Sequence, residues 1–398
     1  MPSGGHFATL APSLTLPRCA GEGTPPSSPS TAQRGRAGEG ARRVAFFGFA
    51  IAATLLLAAC QSAKSPADAQ RQWRLYSVEQ AGGGGGKRLI PFTTLDGYLA
   101  QTGGGLGSVA RAITGASDLN PLVRNPVAVA AGEPGVFIVD EATQSLYRFR
   151  WRPDQAKDGL PGADFAHLRT LTELDEPTDL HLSQLGDLFV SDGNGKKVVQ
   201  YDKDAEKIKV FKDEENLNRP VAVTTDKRGL RIFVADGLYD RVVAFNRAGV
   251  SLYGIGERGD GDGSFRNIRA MIQGPDGLLY IVDGISRHIN VFGLDGSYIA
   301  TFGKETFTDP GGIAVDDDGR VYVSDGFNHR ILIFANRRLV ETYGKPGQGP
   351  GEFQSPGNLA YHQGRLYVVD RQNARVQVFR VVPEEQARQR TAAGDASQ

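Results

Sequence analysis

Short apolar runs recur along the chain in pairs, and each pair is parted by a polar turn. Residues 321–334, VYVSDGFNHRILIF, show the unit: two four-residue runs of branched and aromatic side chains flank Asp325, Gly326 and a few polar residues. That spacing predicts a β-hairpin, with the aspartate accepting turn amides and the glycine free to take positive φ. Strict apolar/polar alternation is missing from both runs. A strand apolar on both faces is one packed between two other sheets.

The hairpin repeats. GVFIVDEATQSLYRF closes its first run at Asp140, DLFVSDGNGKKVVQY at Asp192, RIFVADGLYDRVVAF at Asp236, LLYIVDGISRHINVF at Asp283, the opening example at Asp325 and RLYVVDRQNARVQVF at Asp370. A period of 40 to 50 residues with several strands per unit is that of propeller blades. Ahead of most hairpins lies a proline-led strand with small side chains, as in NPVAVA from Asn125, EPTDLHL from Glu176, RPVAVTT from Arg219, DPGGIAVD from Asp309 and SPGNLAYH from Ser355. Behind come edge strands such as GVSLYG from Gly249 and GSYIATFG from Gly296. The expected fold is therefore all-β, a six-bladed propeller of four-stranded blades over residues 72–380.

The sixth unit stops after Phe379 without an edge strand, so an N-terminal strand is expected to close the ring. KRLIPFTTLDGYLAQTGG from Lys87 matches RHINVFGLDGSYIATFGK from Arg287, which places the closing edge at residues 97–102. WRLYSVEQ from Trp73 matches LLYIVDG and keeps a degenerate seventh blade open. Residues 381–398 read as a solvated, disordered tail.

The proline-led strand, the YVSDGFNHRI hairpin and the glycine-rich links GERGDGDGSF and GKPGQGPGEF resemble the NHL repeat family across about residues 120–380. The resemblance implies the propeller fold. Function is left open, because propellers of this kind serve as RNA binders, scaffolds and lyases alike.

Composition agrees with many strands and tight turns: 51 glycines and 21 prolines among 398 residues. Basic and acidic residues number 45 each, but five arginines and two glutamates fall in the first 60, leaving the remainder with a net charge of −3. No field of one sign is left to capture nucleic acid.

The address lies in RRVAFFGFAIAATLLLAACQS, residues 42–62. Arg42 and Arg43 precede sixteen uncharged residues, which read as a secretory signal too short to span a bilayer comfortably. Leu57, Ala58, Ala59 and Cys60 resemble the bacterial lipobox. That implies cleavage by signal peptidase II after residue 59, lipid on Cys60, a short linker over 60–71, and, with Gln61 next, the outer membrane of a cell envelope. The upstream stretch is either disordered or translated from a misassigned start. With Cys19 removed and Cys60 acylated, the propeller holds no thiol for disulfide or nucleophile.

Candidate chemistry is sparse. His288 and His329 sit beside the hairpin arginines and read as structural; His181 and His362, with Tyr361, are placed on inner strands facing the channel. Asp260 with Asp262, and Asp316 to Asp318, read as turns more simply than as calcium ligands. Arg241, Arg287, Arg330 and Arg375 recur four or five residues after the repeat aspartate, and Lys197 takes the same place. Their first role is pairing with that aspartate. A surplus joins Tyr239, Phe327, His329 and Arg371 in a basic, aromatic rim on one face, where a partner would dock.

The expectation is a lipid-anchored, non-catalytic binding platform for protein or glycan, with no cofactor and no metal. The alternative is a metal-dependent lyase or lactone hydrolase working in the channel.

Overall fold

Six four-stranded antiparallel sheets organise the structure, a computed structural model that describes residues 87–95, 98–100, 119–121, 123–157 and 160–383. Residues 1–86 and 384–398 lie outside the described residues. They include the leader, Leu57, Ala58, Ala59 and Cys60, the Trp73 segment and most of the tail.

The innermost strands are Pro126–Gly132, Pro177–Leu182, Pro220–Thr225, Ile268–Gln273, Pro310–Val315 and Pro356–His362, one for each of blades 1 to 6. Each packs on the next, and the sixth packs on the first, so the sheets form a six-bladed β-propeller around a channel. The fourth inner strand has no leading proline, which is why its sequence carries no clear start. Crowding at the axis selects small side chains: Ala128, Ala222, Ala270 and Gly312 share one position, and a Cβ on Gly312 would lie 2.5 Å from the carbonyl oxygen of Gly357.

Moving outward, the second strands Gly135–Asp140, Leu188–Asp192, Leu279–Asp283 and Val321–Asp325 are buried along their whole length. Outer strands such as Lys207–Phe211 and Tyr298–Phe302 are open to solvent at their first residues. Sandwiching between neighbours removes the polar face, as the unalternated runs required. Blades 4 and 5 meet through Val282, Val291, Phe302, Val323 and Phe334, with the rings of Phe302 and Phe334 5.3 Å apart and steeply tilted.

The repeat aspartates are all fully buried, and each carboxylate joins the link that brings the chain into its blade to the turn inside the hairpin. One oxygen of Asp236 accepts the amides of Asn218 and Arg219 at 2.5 and 2.7 Å, and the other accepts those of Leu238 and Tyr239 at 2.8 and 2.7 Å. Asp140 does the same for Arg124, Asn125 and Thr143. In three blades a cation on the facing strand completes the clamp: Lys197 with Asp192 at 3.2 Å, Arg330 with Asp325 at 3.0 Å and Arg375 with Asp370 at 2.8 Å. Blade 4 departs from the sequence alignment. The residue opposite Asp283 is His288, not Arg287. Arg287 precedes it in the left-handed conformation, φ 54°, that Gln144, Lys196, Asp240, His329 and Ala374 adopt in the other blades.

Closure uses an N-terminal strand, but a different one from that expected. Lys87–Leu95 pairs antiparallel with Arg375–Pro383, Leu89 facing Val381 and Leu95 facing Val376. Tyr98–Ala100, within the segment expected to close the ring, pairs instead with Leu119–Pro121. Burial decides the choice, since Leu89, Phe92 and Leu95 are all buried in the seam. Pro91 is tolerated because an edge strand needs no outward donor. The third strand of blade 6 runs on to Pro383 before the tail begins. The long gap between Asp140 and Asp192 is filled by an extended hairpin, Ser145–Lys157 and Leu160–Thr170.

Candidate functional site

The turns between second and third strands gather on one side of the ring, and their exposed residues depend on the buried aspartates beneath. After each Asp-Gly the chain projects one side chain outward. In blades 3, 4 and 5 that residue is Leu238, Ile285 and Phe327, exposed by 47%, 56% and 70%. The corresponding residues in blades 1, 2 and 6 are Ala142, Asn194 and Gln372. Three neighbouring blades therefore present an apolar arc.

The residues read from sequence as a rim divide into two groups. Arg330 and Arg375 turn inward to their aspartates; Arg375 also donates to the carbonyls of Gln348, Gly349 and Glu352. His329 accepts the Ser355 amide through Nδ1 at 3.0 Å, tying blade 5 to blade 6. Arg371 donates to Asn125 at 3.0 Å and pairs with Glu141 at 2.8 Å, linking blade 6 to blade 1. The other four stay with the arc. Tyr239 carries the Arg241 guanidinium 5.0 Å from its ring centre, the Arg241 Nε lacking any hydrogen-bond partner. Arg287 is exposed beside Ile285, and Phe327 is the most exposed of the large apolar side chains.

Three members escaped the sequence reading. Leu238 and Ile285 looked like ordinary turn residues, although their recurrence with Phe327 at one repeat position was a usable signal. Arg269 leans over Gly284, donating to the Asn267 carboxamide at 2.5 Å. Among the described residues neither Arg241, Arg269 nor Arg287 pairs with a carboxylate. Glu257, Asp262, Glu305 and Asp309 lie on the links of the same side.

The opposite side of the ring opens into a cavity of about 430 Å³ lined by the far ends of all six inner strands. His181, Tyr361 and His362 line it, as their inner-strand positions required. Burial holds His181 at about 4, well below the usual imidazole range, and its Nε2 lies 3.0 Å from the Thr225 hydroxyl. Burial also lowers His362, against the opposing charge of Glu133.

Below the cavity runs a bar of hydrogen bonds that the sequence did not announce. Asp179 accepts the Val223 amide at 2.9 Å, Asn358 accepts the Val129 amide at 3.0 Å, and the Asn358 amide group donates to Asp179 at 2.7 Å. Burial raises the Asp179 carboxyl to about 6, with those donors pulling the other way. The two residues occupy the position filled elsewhere by Ala128, Ala222, Ala270 and Gly312. A polar side chain in that small-residue column was the available signal.

These channel groups do not fit a divalent ion. His181 is bonded to Thr225 and Asp179 to Val223 and Asn358, while Asp226 and Asp316 accept amides of their own turns. Among the described residues no three His, Cys, Asp or Glu side chains converge on one point.

The NHL repeat model matches residues 307–334, the inner strand and hairpin of blade 5. This stretch is similar to an NHL repeat. Human NHL repeat-containing protein 3 is 30% identical over 96 residues, 23% of this chain and 28% of that protein. The chain thus spans little more than a quarter of the curated relative it matches. A protein of unknown function from Bacteroides thetaiotaomicron shares the fold with a TM-score of 0.53, at 14% identity, over 74% of this chain and 76% of its own. A gluconolactonase from Xanthomonas campestris does so with a TM-score of 0.51, at 14% identity, over 65% of this chain and 86% of its own. At such identities the structural likeness concerns the fold alone. The other five blades share with this stretch the buried aspartate that closes their second strand.

Proposed function

We propose that this protein is a binding platform of a bacterial envelope, held at the outer membrane by acyl chains on Cys60 and docking a protein partner across blades 3 to 5. One observation carries the docking face: Leu238, Ile285 and Phe327 stand exposed at equivalent positions of three adjacent blades. Aromatic and arginine side chains are frequent anchors at the centre of protein interfaces, and Tyr239, Arg241, Arg269 and Arg287 flank the arc. A partner that covers it presents an apolar patch. Carboxylates at its rim would meet the arginines.

The anchor rests on Leu57-Ala58-Ala59-Cys60. Cys60→Ser is expected to move the protein from the membrane fraction to the soluble one, and continued sedimentation after alkaline washing would remove the anchor from this reading.

Docking is tested by placing a photocrosslinker at residue 327 in intact cells, with residue 208 on the outer edge as control. A single discrete adduct at 327, lost when Leu238 and Ile285 are both changed to serine, is expected. Equal labelling at both positions, or an adduct indifferent to the serines, would refute the face.

A second reading, a lactone hydrolase or lyase working in the channel, draws support from the fold shared with the Xanthomonas gluconolactonase. Its metal-dependent form has no ligand set among the channel residues described.

A further inference from the structure

The cavity lies on the opposite side of the ring from the apolar arc, and its construction is that of a cup. Its lining starts at Val129, Leu180, Ile313 and Leu359, each one residue beyond the column that holds Asp179 and Asn358. The bar between those two side chains therefore forms the floor. A cavity of about 430 Å³ falls within the size range of small-molecule sites, roughly 300 to 1,000 Å³.

Its lining is polar and includes four charged side chains, Asp226, Lys227, Asp316 and Asp317. The carboxamides of Gln184, exposed at the mouth, and half-buried Gln273 line it and have no hydrogen-bond partner among the described residues, so each offers both a donor and an acceptor. The Thr225 hydroxyl is shared with His181, and the Tyr361 hydroxyl donates to Asp317 and accepts the Gly364 amide, so of these three the His362 imidazole is the further group of dual character.

The ionic groups around the mouth are already engaged. Asp226 and Asp316 close their own turns, Asp317 accepts the Tyr361 hydroxyl at 2.8 Å, Glu133 accepts the Gln363 amide at 2.5 Å, and the Lys227 ammonium donates to the Pro275 carbonyl. Burial keeps both imidazoles uncharged near neutral pH. Beside the polar groups lie Leu182, Ile272 and Val315, apolar side chains of blades 2, 4 and 5.

An anion would meet one cation, Lys227, against the three carboxylates of Asp226, Asp316 and Asp317, and a purely apolar ligand would bury the half-buried Gln273 carboxamide without a partner. We propose that the cup binds a neutral, hydroxyl-rich small molecule, a mono- or disaccharide. Its hydroxyls would meet the carboxamides and a ring C–H face would lie against Tyr361. The site is independent of the protein-docking face, and either can fail without the other.

Saturation-transfer NMR on the full chain with glucose, N-acetylglucosamine, maltose and chitobiose, and with glucuronate as the charged comparison, tests this. At least one neutral sugar is expected to bind in the millimolar range or tighter. Its affinity should fall threefold or more in the double variant Gln184→Leu with Gln273→Leu and by less in Phe327→Ser on the opposite face. Binding by none of the four neutral probes, a fall of less than threefold in the double variant, an equal fall in Phe327→Ser, or glucuronate binding as tightly as the best neutral sugar would overturn the proposal. Urea denaturation of each variant identifies any loss of binding that reflects unfolding, in which case the single variants Gln184→Ala and Gln273→Ala decide by the same threshold.

Discussion

Asn358 of blade 6 donates to Asp179 of blade 2 across the channel at 2.7 Å, passing over blade 1, whose Val129 amide it also accepts. One carboxamide thus joins three blades. Replacing Asn358 by alanine leaves the Val129 amide and one Asp179 oxygen without protein partners, a loss of about 1 to 3 kcal/mol. Urea denaturation measures it, and an unchanged midpoint would show that the bar adds nothing to ring stability.

Asp179 and His181 make opposed contributions to the pH dependence of stability. The Asp179 carboxyl is raised from 3.8 to about 6, so the folded state binds its proton more tightly; the resulting stability is present below 3.8 and lost as pH rises through about 6. His181 is lowered from 6.5 to about 4, so its contribution is present above 6.5 and lost as pH falls through about 4. Between pH 4 and 6 the slopes cancel in the native protein. Asp179→Asn exposes the His181 slope and should make the protein lose on the order of 3 kcal/mol more than the parent between pH 6.5 and 4. His181→Gln should shift the slope the other way. Urea midpoints across that range for both variants give the comparison, and parallel curves would contradict it.

The seam is held by packing more than by its surface ion pair. Phe92 is buried against Trp151, 5.7 Å between ring centres, with the Arg380 guanidinium 4.2 Å from its own centre. Phe92→Ala is expected to destabilise by about 3 to 5 kcal/mol. Arg371 bridges the same two blades from a half-exposed position, and Arg371→Ala should cost at most about 1 kcal/mol. If thermal melting ranks the two variants in the reverse order, electrostatics closes the ring.

Asp370 and Arg375 form a pair in which the side chains are 0% and 7% exposed. Asp370→Ala strands a buried guanidinium and should destabilise by about 3 to 5 kcal/mol. Replacing both, Asp370→Ala with Arg375→Leu, is expected to recover part of that loss. A double-mutant cycle gives the coupling, and no recovery would mean that the aspartate acts through the Gln354 amide it accepts.

Much of this was legible beforehand because a propeller writes its period into the chain. The six aspartates marked six hairpins, and the absence of alternation marked burial on both faces. The closing strand was placed wrongly since Lys87 onward matches a third strand of another blade by text. At the open end of blade 6 the same residues serve as a fourth strand, with Leu89, Phe92 and Leu95 turned inward. Arg287 was misaligned by one residue for a related reason: a charged side chain in the left-handed turn position looks, in sequence, like the partner of Asp283 that His288 is in the sheet.

The sequence alone determined the repeat, the strand types and the hairpin turn that each aspartate caps, because those are features of residues close along the chain, set by apolar runs and turn chemistry. Only the tertiary structure decided that Asn358 meets Asp179, that Leu238, Ile285 and Phe327 fall on neighbouring blades of one face, and that the glutamines of two blades line a common cup. Those meetings depend on the ring closing through Lys87–Leu95, and a contact between residues 179 positions apart leaves no local pattern from which it can be read.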